Sequence, residues 1–108
     1  MWRAALLLPL ILACSRHDGE DCPTPPPDDA AACEAFAGRE AVCFCSKEAG
    51  EEIELDCANE RADAFAKSEA CGTAFDEWRE CIAGLPCDAD PFSDCAETRV
   101  AQQNECLF

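Results

Sequence analysis

Apolar residues follow three regimes along this chain. From Ala4 to Leu12 they are continuous, from Ala30 onward they recur every three or four positions among acidic residues, and a polar, proline-rich stretch separates the two. The recurrence from Ala30 onward predicts helices. Asp28 and Asp29 are placed to cap a helix that starts at Ala30-Ala31-Ala32 and carries Cys33, Phe36, Ala37, Cys43 and Phe44 near helical spacing, with Gly38 weakening or ending it early. Between Cys45 and Cys57 the pattern changes. Ile53, Leu55 and Cys57 alternate with Glu54 and Asp56, as in a short strand, while the residues from Lys47 to Glu52 read as a loop. Asn59 then caps a helix through Ala70 carrying Ala62, Phe65 and Ala66, and Cys71-Gly72 either breaks it or lies inside it. Cys71, Phe75, Trp78 and Ile82 make one apolar face with Cys81 beside them, until Gly84 and Pro86 stop the helix. The last helix begins with Asp90 as cap and Pro91 in first position and runs through Cys95 and Val100 to Cys106. About three helical turns then put Cys95 and Cys106 on the same side. The expected fold is mostly α: a small disulfide-stapled bundle of three or four short helices over residues 30–108, with a short strand or irregular segment near 45–57.

The first regime has the form of an export signal. Met1-Trp2-Arg3 gives a positive start, nine apolar residues from Ala4 to Leu12 follow, and Ala13 is the small residue that a signal peptidase requires. A helix of that length reaches only about 14 Å, against roughly 30 Å of bilayer hydrocarbon, and Pro9 interrupts it, so it is no transmembrane anchor. The four residues Ile11-Leu12-Ala13-Cys14 resemble the lipobox of bacterial lipoproteins, with Leu12 bulkier than usual. That resemblance implies removal of residues 1–13, a diacylglycerol thioether on Cys14, and anchoring of the mature protein to a membrane through lipid. Two or three acyl chains make release negligible. Ser15, where an aspartate would favour the inner membrane, implies the outer one, on its periplasmic face or at the cell surface. Residues 14–29 then form a tether, polar up to Asp21 and extended through Pro23-Thr24-Pro25-Pro26-Pro27.

Cysteine parity supports the same address. The chain has 11 cysteines, an odd number for an oxidising compartment. Lipidation of Cys14 leaves Cys22, Cys33, Cys43, Cys45, Cys57, Cys71, Cys81, Cys87, Cys95 and Cys106, an even set spread through the whole mature part. Such density in a short exported chain reads as a disulfide scaffold. Connectivity stays open among roughly 945 pairings, except that Cys22 is placed to pin the far end of the tether. Large apolar residues are few, and disulfides at about 2–4 kcal/mol each can supply what so thin a core does not. Zinc would call for Cys-x-x-Cys pairs and histidines at set spacing, whereas this chain has no such pair and its one histidine, His17, lies in the tether.

Charge narrows the partners. The chain carries 8 basic and 23 acidic residues, a net charge of −15, and loss of the leader removes Arg3 and no acid. Nucleic acid is excluded as a partner because phosphate binding rests on clustered Lys and Arg. An anionic lipid surface repels the domain as well, so lipid does the anchoring. The acidic surface suits a basic partner or loosely held divalent cations, and it also simply keeps a small domain soluble.

Nine residues separate Cys33 from Cys43, and nine separate Cys71 from Cys81, which resembles the twin CX9C helical hairpin of small mitochondrial intermembrane-space proteins. The likeness lies in the physics of facing helices and not in kinship. The whole pattern, lipobox, proline-rich tether and small helical cysteine-rich domain, resembles the small cysteine-rich lipoproteins of predatory and soil-dwelling Gram-negative bacteria, a group without assigned activity. No catalytic residue, metal site or cofactor is expected, because a nucleophile needs an adjacent base and the cysteines are oxidised. Carboxylate pairs such as Asp76-Glu77 and Asp88 with Asp90 are what so acidic a chain gives by chance, and glycosidase-like chemistry needs two of them flanking a cleft that a domain this small rarely forms. Asp88, Asp90 and Asp94 hint at calcium, but Pro91 and Phe92 stand where ligands and glycine would continue. The expected function is a non-catalytic structural or protein-interaction module of the cell envelope, with an envelope protein as partner. The alternative is a small disulfide-rich effector, such as a protease inhibitor or ligand-binding protein, using a loop at Lys47–Asp56 or Leu85–Asp94. Exposure of Leu85 or Phe92 favours that alternative; burial of both favours an inert module.

Overall fold

In a computed structural model of the protein, residues 22–107 are described. Residues 1–21, on which the expected leader, Cys14, His17 and most of the expected tether fall, and Phe108 lie outside them. Five helices follow in order: α1 Ala32–Phe44, α2 Lys47–Lys67, α3 Glu69–Ala83, α4 Pro91–Asp94 and α5 Ala96–Glu105. There is no strand among the described residues. Helices α1, α2 and α3 pack on one another, and α5 lies along α3, so the fold is a small disulfide-stapled helical bundle.

Each boundary has a local cause. Residues 27–30 make a turn, with the Ala30 N–H donating to the Pro27 carbonyl at 3.1 Å. That turn takes Asp28 and Asp29 out of reach of the helix, so α1 starts after Ala31 with no side-chain cap, contrary to the capping expectation. Helix α1 runs through Gly38 and ends at Cys45, whose φ of 53° is left-handed. A residue with a Cβ pays roughly 1–2 kcal/mol for that conformation.

The segment expected as strand or irregular near 45–57 is helical. Ser46 caps α2, its Oγ accepting from the Ala49 N–H at 3.1 Å, and the helix passes through Asn59 without a break. The alternation of Ile53, Leu55 and Cys57 is coincidental, since Leu55 is 63 % exposed while Cys57 is buried. The buried positions of α2 are Gly50, Cys57 and Ala64, a seven-residue repeat of small side chains that makes one narrow helical stripe. The chain turns instead at Ser68, which ends α2 and caps α3 by accepting from the Cys71 N–H at 2.9 Å; Cys71-Gly72 lies inside α3. Asp90 caps α4 as expected, with Pro91 in first position. The single helix expected from there to Cys106 is interrupted at Cys95, whose backbone leaves the helical region.

All ten cysteines of the described region are paired: Cys22–Cys45, Cys33–Cys57, Cys43–Cys87, Cys71–Cys106 and Cys81–Cys95. The first fastens the proline-rich segment to the end of α1. The second joins α1 to α2, the third joins α1 to the loop after α3, and the last two fix α3 to the C-terminal part. Cys95 and Cys106 thus both face α3. None of the CX9C cysteines bonds to another, so the twin-hairpin pattern is present in spacing and absent in connectivity.

The interior is short of hydrocarbon. Its buried apolar residues are Ala32, Ala37, Ala41, Ala64, Ala74, Cys57, Cys71, Cys95, Phe75 and Ile82, and the largest side chains with almost no exposure are Cys57 and Cys71. Phe44, expected on the inner face of α1, is 65 % exposed, and Phe92, Val100 and Leu107 are exposed as well. Small side chains let helix axes approach closely. At Gly50 an added Cβ would lie 2.5 Å from the Ala41 Cβ, inside any permitted contact. Closing loops with separations from 14 to 44 residues stabilises by about 3–4 kcal/mol each in the chain-entropy account.

Two outcomes follow. Reduction by excess dithiothreitol under native conditions abolishes most of the far-ultraviolet helical signal; a reduced chain that keeps it would show that hydrocarbon packing suffices. Gly50→Val lowers stability by about 1–3 kcal/mol in urea titration, despite the better helix propensity of valine.

Candidate functional site

Cations are scarce in so acidic a chain, and Arg79 and Arg39 are half-buried between its elements. Arg79, on α3, is enclosed by aromatic rings: its guanidinium carbon lies 4.6 Å from the Phe36 ring centre, 4.9 Å from Phe75 and 4.6 Å from Trp78. It donates to Glu60 Oε1 of α2 at 3.1 Å. Burial lowers its pKa from the ordinary arginine value, and Glu60 and Glu40 act in the opposite direction. An arginine so placed remains charged at any physiological pH. Helices α1, α2 and α3 each contribute to this cluster, which makes it a structural junction. Arg61 in turn holds Asp76 with two bonds of 2.8 and 3.0 Å, and that bond raises the Arg61 pKa. Asp76 is therefore committed to an ion pair.

The second half-buried cation shapes a cleft. Residues 22–29 do not stand away from the bundle, since Pro26 lies directly on α1 at Gly38, where an added Cβ would come within 2.6 Å of the Pro26 Cγ. Opposite this strap runs the loop after α3. Arg39 reaches that loop from α1, donating Nε to the Leu85 carbonyl at 3.0 Å and Nη2 to the Pro86 carbonyl at 2.7 Å, while Nη1 pairs with Glu40. The Cys43–Cys87 disulfide fixes the same loop. Strap, α1 and loop enclose a cleft of about 520 Å³. Pro26, Pro27, Val42, Leu85 and Pro86 give it apolar walls, and Asp28 and Glu80 bring carboxylates. Its volume falls within the range of small-molecule and side-chain sites.

The cysteines expected to be scaffold are brought together in five pairs, and Cys14 lies outside the described residues. Of the two loops named from sequence, Lys47–Asp56 is part of α2. Leu85–Asp94 is a genuine loop leading into α4, secured by Cys43–Cys87 at one end and closed by Cys81–Cys95 at the other. On it Leu85 is half-buried and Phe92 is 64 % exposed. The Asp88, Asp90 and Asp94 set does not converge: Asp90 is engaged with the Phe92 N–H and the Ser93 hydroxyl. No three metal-binding side chains gather among the described residues. No described helix is long and apolar enough to cross a membrane.

Sequence reasoning missed Arg39 and Arg79, which it treated only as terms in the net charge. A usable signal exists for Arg79, since Phe75, Trp78 and Arg79 fall on one helical turn. Arg39 has none, because its partners are carbonyls 46 and 47 positions away.

In comparisons with protein families, curated proteins and solved structures, this chain matches none.

Charge-assisted hydrogen bonds contribute about 1.5–3 kcal/mol, so Arg39→Ala speeds amide exchange in the Leu85–Ala89 loop by about tenfold or more while the helices keep their protection. Unchanged exchange would mean that the disulfide alone fixes the loop.

Proposed function

We propose that this protein is a lipid-anchored module of the cell envelope that binds another protein and carries out no chemistry of its own. Its lipid sits on Cys14, and its place is the outer membrane. The observation that carries this reading is cysteine parity: the ten cysteines beyond Cys14 are exactly consumed in five bonds, which leaves the lipobox thiol as the odd one. A fold that rests on five disulfides also belongs in an oxidising compartment.

The exposed Phe92, on a segment closed by disulfides, is the outcome expected of the alternative reading, an unanchored effector that presents this loop to its target, and it also suits a binding face in place of an inert spacer. The two readings differ in the anchor. Intact-mass spectrometry of protein extracted from the membrane fraction of a Gram-negative host is expected to show a chain beginning at Cys14, with a diacylglycerol adduct and no free thiol. Cys14→Ser is expected to move the protein out of that fraction. A chain cleaved elsewhere without lipid, with the domain still folded, would overturn the anchored reading and leave the effector reading standing.

A further inference from the structure

The cleft between strap and loop supplies what the proposed function lacks, the nature of the partner. We propose that it receives an apolar side chain flanked by a lysine or arginine, presented by a segment of a partner protein. This rests on the reading of the domain as a protein-binding module and does not depend on the lipid.

Three observations converge. The cleft exists as a formed space, because both walls are fastened: the strap by Cys22–Cys45 and by the seat of Pro26 on Gly38, the loop by Cys43–Cys87 and the two Arg39 bonds. Little ordering cost then remains for binding, which is the advantage of preorganisation. Its walls at Pro26, Pro27, Val42, Leu85 and Pro86 are apolar and suit a branched aliphatic group. Its free charge is negative. Arg39 lines the cleft but is spent, since Glu40 balances its charge and two carbonyls take its donors. Asp28 and Glu80 line the same cleft, and no cation of the described residues pairs with either. In a chain of net charge −15, a cationic partner is also drawn in at long range. An anionic ligand would meet two uncompensated carboxylates, and a wholly apolar one would leave both without a partner.

The test uses the full oxidised chain, isotopically labelled, and three short synthetic peptides: leucine alternating with lysine, leucine alternating with glutamate, and glycine alternating with lysine. The leucine–lysine peptide is expected to shift amide signals of Ala35, Arg39, Val42, Gly84 and Leu85 in a saturable manner. The other two are expected to leave those signals in place. Asp28→Asn combined with Glu80→Gln, both exposed and remote from the packed core, is expected to weaken binding about tenfold and to flatten its salt dependence. Leu85→Ala is expected to weaken it at every salt concentration. Equal binding of the leucine–glutamate peptide, or shifts spread along the acidic exposed face of α2, would overturn the proposal. So would signals at the cleft that move with protein concentration alone, which would make a second copy the occupant. A failed peptide titration with an intact lipid adduct on Cys14 removes this inference and leaves the anchored module in place.

Discussion

The fold depends on covalent sulfur in the place where most domains keep hydrocarbon. Cys57 and Cys71 are its most deeply buried side chains, and around them stand alanines and glycines that permit close approach but bury little surface. At about 0.8 kcal/mol per methylene, an interior with only two large apolar residues contributes far less than an ordinary core of leucine and isoleucine. The five bonds act on the other side of the balance, lowering the entropy of the unfolded chain. Their arrangement is economical in another sense. Cys33–Cys57 and Cys43–Cys87 tie α1 to both of its neighbours, and Cys71–Cys106 with Cys81–Cys95 tie α3 to the C-terminal part. Helices α2 and α3, with no disulfide between them, are joined instead through Ser68, the Arg61–Asp76 ion pair and the Arg79 cluster.

Arginine has two structural duties in this acidic chain. Arg79 replaces a missing large apolar side chain: its guanidinium fills the space among Phe36, Phe75 and Trp78 and brings Glu60 with it. Stacked guanidinium is more weakly hydrated than ammonium and tolerates such burial. Arg39 substitutes for secondary structure by giving the Leu85 carbonyl a side-chain donor and the Pro86 carbonyl a second one beside the Ala89 N–H. With 23 acidic against 8 basic residues, most surface acids have no balancing cation wherever the arginines sit.

Helix α3 was legible in the sequence because its stripe, beyond Cys71, is made of large residues, Phe75, Trp78 and Ile82, at helical spacing. Helix α2 was not, because its stripe is Gly50, Cys57 and Ala64, and glycine and alanine carry almost no hydrophobic signal; Gly50 read as a loop where it is a point of contact. Asn59 was read as a cap in place of Ser46, and the break was sought at Cys71-Gly72 in place of Ser68, since such residues recur along the chain and only tertiary packing selects among them. Cysteine usage was readable as a scaffold, but the pairs were not, as connectivity depends on helix placement and not on spacing. The cleft lay beyond sequence altogether, because its walls come from segments about sixty positions apart in the chain, joined by Arg39 and one disulfide.

The bond between Cys22 and Cys45 has a mechanical meaning. Tension arriving from the N-terminal side enters the bundle at the corner between α1 and α2 rather than at the first turn of α1. The proline strap beyond residue 22 is shunted out of the line of force, and a pull cannot peel it from Gly38 one contact at a time. A thermally weak packing contact is thereby placed in parallel with a covalent one, and the geometry beside it is insulated from whatever drags on the chain.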